Sequence, residues 1–329
     1  RGVMDWNAIY VNTAQALFNP VTIAFALAAL GLAVHFGFVG LLNFGIAGFM
    51  AVGGYGYAIS ALTFGFPWWG SMLSAVVAAL LFALVLGLPT LQLRGDYLAI
   101  VTIASAEIVR LLLVSQAFNS VTGSADGLTG FADDFRSINP FPEGTYGFGP
   151  WSYTQNQFWV LVVGLIFLAV SLFVIWRLVH SPWGRVIKGI REDEDAVRAL
   201  GKNVFGYKLQ ALMVGGVVAA LGGVIYVLPS SANPMTFITS LTFFVWTALL
   251  LGGAATVFGP LLGALIFWVL QAFLGALLPA LSDAGLMGAF SSSQAGALRF
   301  VIIGILLILI VVYRPQGLVG DKRELTFVR

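Results

Sequence analysis

Long apolar runs separated by short polar stretches make up most of the chain. Nine runs read as membrane helices: 19–38, 40–62, 68–88, 97–118, 157–179, 208–229, 237–252, 258–281 and 297–313. A helix needs about 20 mostly apolar residues to cross the hydrocarbon core. The runs are continuously apolar and do not alternate, which argues against a transmembrane barrel. Glycine interrupts two of them. The stretch 40–56, GLLNFGIAGFMAVGGYG, holds six glycines, and Gly252-Gly253 with Gly259 and Gly263 forms a second cluster. The second and seventh spans are therefore the ones expected to be broken or re-entrant. Glycines in such places allow close helix packing, the expected role for most of them. They also allow breaks whose freed backbone groups bind a solute's charged ends. Ala211, Gly215, Ala219 and Gly223 form a small-residue stripe at four-residue spacing, which predicts a helix–helix contact.

Composition agrees with this pattern. Only 9% of the 329 residues are charged and 59% are hydrophobic, against roughly 25% charged in soluble domains. A soluble protein of this kind would expose a large apolar surface. The expected fold is all-α: a polytopic membrane helix bundle of about nine spans. It forms one transmembrane domain over 1–320, followed by a tail at 321–329. With no cysteine, disulfides, thiolate nucleophiles, thiolate-bound zinc and Cys-ligated clusters are excluded. Only His35 and His180 offer imidazole ligands, and no spacing links them. The net charge of +2 comes without a basic patch interleaved with aromatics, so nucleic acid is not an expected partner. The chain opens on Arg1 without a basic-then-apolar leader pattern, as expected of a sequence lacking a short native N-terminus.

Charge placement orients the spans. The loop 181–208 carries Arg185, Lys188, Arg191, Arg198, Lys202 and Lys208, and the tail carries Arg314, Lys322, Arg323 and Arg329. The loop 119–156 has Arg136 alone against Asp126, Asp133, Asp134 and Glu143. The positive-inside rule makes the first two cytoplasmic and the third external. Nine spans then put the N-terminus outside and the C-terminus in the cytoplasm.

Candidate chemistry is sparse. In 181–208, Ser181-Pro182 starts a helix and Gly201 stops it, giving one short charged helix with Val186, Ile187, Ile190, Val197 and Leu200 as apolar positions. It reads either as a solvated connector or as a docking helix for a cytoplasmic partner. Glu107 and Arg110 share a helix face inside the fourth span. A mutually neutralising pair near the outer end is the expectation, although charges in a membrane are often functional. Arg94 and Asp96 read as interfacial anchors of the same span. Asn43, Thr102 and Ser105, with Gly45, Gly53, Gly252 and Gly253, are the candidates to line a path. His35, at the inner end of the first span, reads as structural, since no carboxylate lies near it in sequence. Gly201-Lys202 lacks both the upstream glycine and the following Ser or Thr of a phosphate loop, so ATP would have to be hydrolysed by another chain. The acids Glu192 to Asp195 spread around a helix and cannot converge on one metal, which argues against an enzyme.

Several segments together carry a family resemblance: GLLNFGIAGFMAVGGY at 40–55, LRGDYLAIVT at 93–102 with EIVR at 107–110, TGSADGL at 122–128, SPWGRVIKGIREDEDAVRALG at 181–201, LLLGGAATVFGPLLGA at 249–264 and YRPQGLVG at 313–320. In this order the chain resembles the LivM-type permease of branched-chain amino-acid ABC importers across nearly all of 19–320. Asn43 stands where many relatives have Ser, Ser124 replaces the second Gly of a Thr-Gly-Gly loop, and Ala254-Ala255-Thr256 alters a glycine pattern. The resemblance implies a multi-pass protein of the bacterial cytoplasmic (inner) membrane that moves leucine, isoleucine and valine by alternating access. It implies a homologous second permease subunit, two cytoplasmic ATPase subunits and an external solute-binding protein as partners. ATP with Mg2+ would sit in the ATPases, with no cofactor in this chain. Gly184, Arg185, Arg191, Glu192, Asp193, Glu194 and Gly201 are then the candidates for coupling to the ATPase. Permeases for urea and short amides share much of the framework, so those solutes remain an alternative. An ion-coupled secondary transporter is another, with Glu107 the one carboxylate well inside a span.

Overall fold

The computed structural model describes residues 5–93, 95–285, 291–314 and 316–320. Arg94 and the tail 321–329 lie outside the described residues. A helix not expected from the sequence, α1 (Trp6–Gln15), precedes the first span. Helix α2 (Pro20–Leu32) starts at an Asn19 cap with proline in its first turn, and continues as π-helix over Ala33–Phe38. After an irregular segment at 39–45 come α3 (Ile46–Phe64), α4 (Trp68–Thr90) and α5 (Gly95–Val114). The next connection holds α6 (Asn119–Thr122), α7 (Asp133–Ser137) and a hairpin of β1 (Thr145–Tyr146) with β2 (Tyr153–Thr154). This small hairpin is the departure from an all-helical chain.

Helix α8 (Gln155–Val179) begins with a reciprocal Thr154/Gln157 cap. Two short helices follow, α9 (Pro182–Glu192) and α10 (Glu194–Ala199). The chain ends with α11 (Val204–Val227), α12 (Thr239–Gly252), α13 (Gly259–Asp283) and α14 (Ser292–Tyr313).

Among the described residues, eight helices are long and apolar enough to cross a membrane, where nine spans were expected. The difference is α12, which has 14 residues. At 1.5 Å per residue it rises only about 21 Å, short of the roughly 30 Å hydrocarbon core. Gly253 ends it at φ +122°, a backbone conformation open to glycine. The orphaned carbonyls of its last turn are met by a distant segment: Leu318 N–H donates to Leu251 O (3.0 Å) and Val319 N–H to Gly252 O (3.1 Å). The Gly-Gly motif and the Gln-Gly-Leu-Val motif are therefore one structural unit, separated by α13 and α14.

The bundle has two chemically different ends. At one, here called the hairpin end, Leu128 pairs with Ala232, Tyr55 Oη donates to Ala232 O, and Asp134 accepts from the Trp68 N–H at the start of α4 (2.6 Å). At the other, the α9 end, Arg191 meets Gly37, Gly37 meets Ala254, and Gly253 meets Gln316. Helix α12 leads from the first end to the second despite its length.

Helices α2 and α11 lie side by side in the centre. A Cβ added at Gly31 would fall 2.3 Å from Gly215 O, and one at Gly215 would fall 2.4 Å from Gly31 O. The predicted stripe on α11 is thus a helix contact, and it serves two partners, since Gly223 lies against Met50 O of α3. Gly215→Val is expected to block assembly, because overfilling a packed core costs about 1–3 kcal/mol or more. Gly304 on α14 has nothing within 4 Å of its Cβ position. Gly304→Val should therefore leave the yield of monodisperse protein unchanged while Gly215→Val lowers it.

Candidate functional site

The break between α2 and α3 is the most polar part of the core. His35 is fully buried, and its Nε2 lies 3.0 Å from Leu212 O. A carbonyl only accepts, so Nε2 carries the hydrogen and Nδ1 is bare. Asn43 Nδ2 donates to that Nδ1 (3.0 Å), and Asn43 Oδ1 accepts from Gly45 N–H (2.7 Å). Phe44 N–H donates to Thr102 Oγ1 (2.9 Å) and Ala47 N–H to Thr242 Oγ1 (3.2 Å). Trp246 Nε1 donates to Asn43 O (3.1 Å). Three N–H groups at the buried start of α3 thus find side-chain oxygens from three directions. A helix end buried among apolar residues needs such partners.

The seven path candidates separate into three groups. Asn43, Gly45 and Thr102 come together at this break, and a Cβ at Gly45 would fall 2.4 Å from Thr102 O. Ser105 donates to Val101 O of its own helix (2.8 Å). Gly53, Gly252 and Gly253 are close contacts, against Ala220 O (2.3 Å), Gly259 O (1.8 Å) and Gln316 O (3.0 Å) from their Cβ positions.

The segment 181–208 is two helices, where a single one was expected. Asp193 is extended (φ −155°, ψ 101°), and its carboxylate accepts from Ala196 N–H (3.0 Å), so it ends α9 and caps α10. Ser181 caps α9 as the sequence predicts. Gly184 presses on the end of α8, since a Cβ there would fall 2.1 Å from Val179 O. Ile187 and Ile190 are buried, whereas Leu200 is 79% exposed. Arg185 is also exposed, and Gly201 (φ +77°) follows α10. Glu194 pairs with Arg198 (2.8 Å) and with Lys208, and Asp195 pairs with Arg198 (2.8 Å).

Arg191 behaves differently from its neighbours. Its side chain is only 5% exposed, and Nη1 donates to Gly37 O at 2.6 Å. Nε and Nη2 bind the Glu192 carboxylate (3.1 and 2.6 Å). Gly37 closes the π-helical extension that also carries His35. Arg191 therefore joins the most charged segment to the polar break, a contact across 154 residues that sequence spacing does not reveal, and Lys188 adds a second one over the Phe38 ring (5.9 Å to its centroid).

Glu107 and Arg110 form the expected pair. Arg110 Nε donates to both carboxylate oxygens (3.0 Å each) and Nη2 to Oε1 (2.5 Å). Arg110 Nη1 also reaches Met235 Sδ (3.7 Å), at the hairpin end. Among the described residues, no three His, Cys, Asp or Glu are grouped to hold a metal.

Residues 18–311 match the sequence model of a family described as the branched-chain amino acid transport system permease component. The high-affinity branched-chain amino acid transport system permease protein LivM of Salmonella typhimurium is 31% identical, over 92% of this chain and 69% of its own. The probable branched-chain amino acid transport permease protein LivM of Methanocaldococcus jannaschii is 27% identical over 91% of each chain. The guanosine ABC transporter permease protein NupQ of Bacillus subtilis is 27% identical over 74% of this chain and 77% of its own.

Proposed function

We propose a transport role on one premise: the chain belongs to the family of permease components of branched-chain amino acid transport systems. It is a multi-pass membrane protein, and its proposed solutes are leucine, isoleucine and valine. The observation that carries this reading is the family match over residues 18–311. The α9 end, where the basic residues of 181–208 gather, faces the cytoplasm by the positive-inside rule. The hairpin end and the N-terminus face outward, and α12 counts as the seventh of nine passes despite its length. The membrane is the bacterial inner membrane.

Two cytoplasmic ATPases hold and hydrolyse Mg-ATP, and a homologous permease subunit completes the pore. An external binding protein delivers the solute to the hairpin end, where Asp126 and Glu143 are exposed. The ATPase grips α9 and α10 through Arg185, Leu200 and the acidic turn Asp193–Glu194. Its motion reaches the core through Arg191, which draws Gly37 and with it the His35–Asn43 hydrogen bond. Rearrangement of the break at 39–45 then switches the pore between outward-facing and inward-facing states. Glu107 and Arg110 hold neighbouring helices together near the outer face.

The test is uptake of labelled leucine, urea and guanosine. It uses proteoliposomes holding this chain, its partner permease, the ATPases and the binding protein, with ATP on the ATPase side. Expected is ATP-dependent leucine uptake that excess valine competes away. Guanosine is included because of the B. subtilis relative, and urea because the sequence framework is shared with urea permeases. Uptake of either without leucine would overturn the solute assignment. Collapse of leucine uptake on adding a proton uncoupler, with ATP still present, would overturn the ATP-driven mechanism.

A further inference from the structure

Arg299 lies inside α14, in a helix otherwise apolar enough to cross a membrane. Its Nε is buried with no hydrogen-bond partner, and no carboxylate pairs with it among the described residues. A charge within a membrane normally finds a partner or serves a function. Two further buried atoms nearby also have no partner: Trp268 Nε1 and Gln271 Oε1, on the facing helix α13. Gln271 is only 6% exposed. All three residues line one cavity of about 580 Å3, walled by α1, α2, α11, α12, α13 and α14. Small-molecule sites run roughly 300–1,000 Å3.

The unmet groups specify a ligand. Trp268 Nε1–H and Arg299 Nε–H are donors that need an acceptor, and the guanidinium needs a negative charge. Gln271 Oε1 is an acceptor that needs a donor. Trp268, Gln271 and Gly275 follow one another at spacings of three and four residues, hence on one face of α13. The guanidinium rests on that face, with Nη1 2.5 Å from the position a Cβ would take on Gly275. One side of the wall is aromatic: Phe244 and Phe300 stack with centroids 5.9 Å apart, and Phe300 also carries the guanidinium over its ring, while Asn12, Gln15 and Asn19 make the opposite side polar. A molecule with a carboxylate, an ammonium and an aliphatic side chain matches these residues once their polar atoms turn toward the cavity they line.

The cavity adjoins a second one at the hairpin end. Gln15, Asn19, Val21 and Tyr226 line both it and a second cavity of about 350 Å3 at the hairpin end. That second cavity is walled by Ser152, Gln157, Ser230, Ser231 and Thr236. Its lining of serine, threonine and amide side chains suits a hydrated zwitterion.

We propose that this cavity is an α-amino-acid site within the single permease chain: Arg299 and Trp268 hold the carboxylate, Gln271 the ammonium, and the Phe244–Phe300 wall the branched side chain. The inference rests on the branched-chain reading above and adds a solute contact to it.

The experiment measures binding of labelled leucine to the assembled transporter in nanodiscs of phosphatidylethanolamine and phosphatidylglycerol, without binding protein. Wild type, Arg299→Gln and Gly275→Ala are compared, with uptake measured in parallel. A Cβ at Gly275 displaces only the flexible end of Arg299, so this variant keeps the fold and moves the charge. Expected is leucine binding to wild type, weakened about tenfold or more by either substitution, as for loss of a charged hydrogen bond. Leucinamide, which lacks the carboxylate, should compete poorly against wild type. Where Arg299→Gln fails to assemble, Gly275→Ala decides. Wild-type leucine affinity in Gly275→Ala, or a phospholipid retained by wild type and lost from the variants while leucine binding is unchanged, overturns the proposal. Wild-type leucine uptake in those variants would sink this site and leave the transport function standing. Absence of leucine uptake in wild type would instead sink the function.

Discussion

Arg191→Ala is expected to lower ATP-driven uptake by about tenfold or more while the complex still assembles and hydrolyses ATP. The substitution removes a buried guanidinium whose Nη1 lies 2.6 Å from Gly37 O. Hydrogen bonds to charged groups contribute about 1.5–3 kcal/mol, and this one ties α9 to the π-helical turn before the break. Without it, α9 can move and leave α2 behind. Two comparisons separate the link from the local ion pair. Glu192→Ala removes a carboxylate that is 60% exposed, and exposed pairs contribute only about 0–1 kcal/mol, so its uptake should stay near wild type. Arg191→Lys keeps the charge but loses the planar fork that reaches Gly37 and Glu192 together, and should fall between. The measurement is leucine uptake and ATP hydrolysis in the same proteoliposomes. Wild-type uptake by Arg191→Ala would remove this residue from the coupling route.

The second large effect is expected at Asn43. Asn43→Leu leaves His35 Nδ1 and the Gly45 N–H without partners in a dry core. Each unmet buried group costs about 1–3 kcal/mol, so the midpoint of thermal unfolding should drop on the order of 5–15 °C. Uptake should be lost as well, because the start of α3 no longer has a fixed position. Asn43→Ser is the informative comparison. A serine hydroxyl two residues before Gly45 can still accept its N–H, but it is too short to reach His35 Nδ1. Its stability should lie between wild type and Asn43→Leu. Equal unfolding midpoints for Asn43→Leu and wild type would show that the network contributes nothing.

Most of the fold was legible because apolar length and charge placement are local properties. The runs at 68–88 and 157–179 match α4 and α8 within a few residues; the second run is irregular only up to Gly45, with Gly48, Gly53, Gly54 and Gly56 inside a continuous α3, and the seventh is a short unbroken helix that stops at Gly252. The errors arise where a local signal was given too little weight, or where the partner is remote. Asp193 was absorbed into a charged helix, although Asp is a preferred N-cap and the structure uses it as one. His35 was tested against carboxylates, whereas its partner is the amide of Asn43, eight residues on and beyond the end of the helix. The bond from Arg191 to Gly37 and the closure of α12 by Leu318 and Val319 depend on tertiary placement alone. Arg299 was different: a lone arginine within the ninth apolar run is visible in the sequence and is a functional signal by itself.

The burial of α2 has a consequence for the order of events during synthesis. The segment Pro20–Phe38 is 89% buried in the finished bundle, and its closest neighbour, α11, begins only at Val204. At roughly 5–20 residues per second, a ribosome needs on the order of 10–30 s to make the chain between them. Throughout that interval α2 must rest in lipid or in the translocation channel with its future contact face uncovered. Its mean hydropathy of 2.1 suits that wait. His35 also has early help, since Asn43 emerges eight residues later and can occupy Nδ1 long before Leu212 exists to accept from Nε2. The Gly31 side of α2 thus stays without its α11 partner until that helix has been translated.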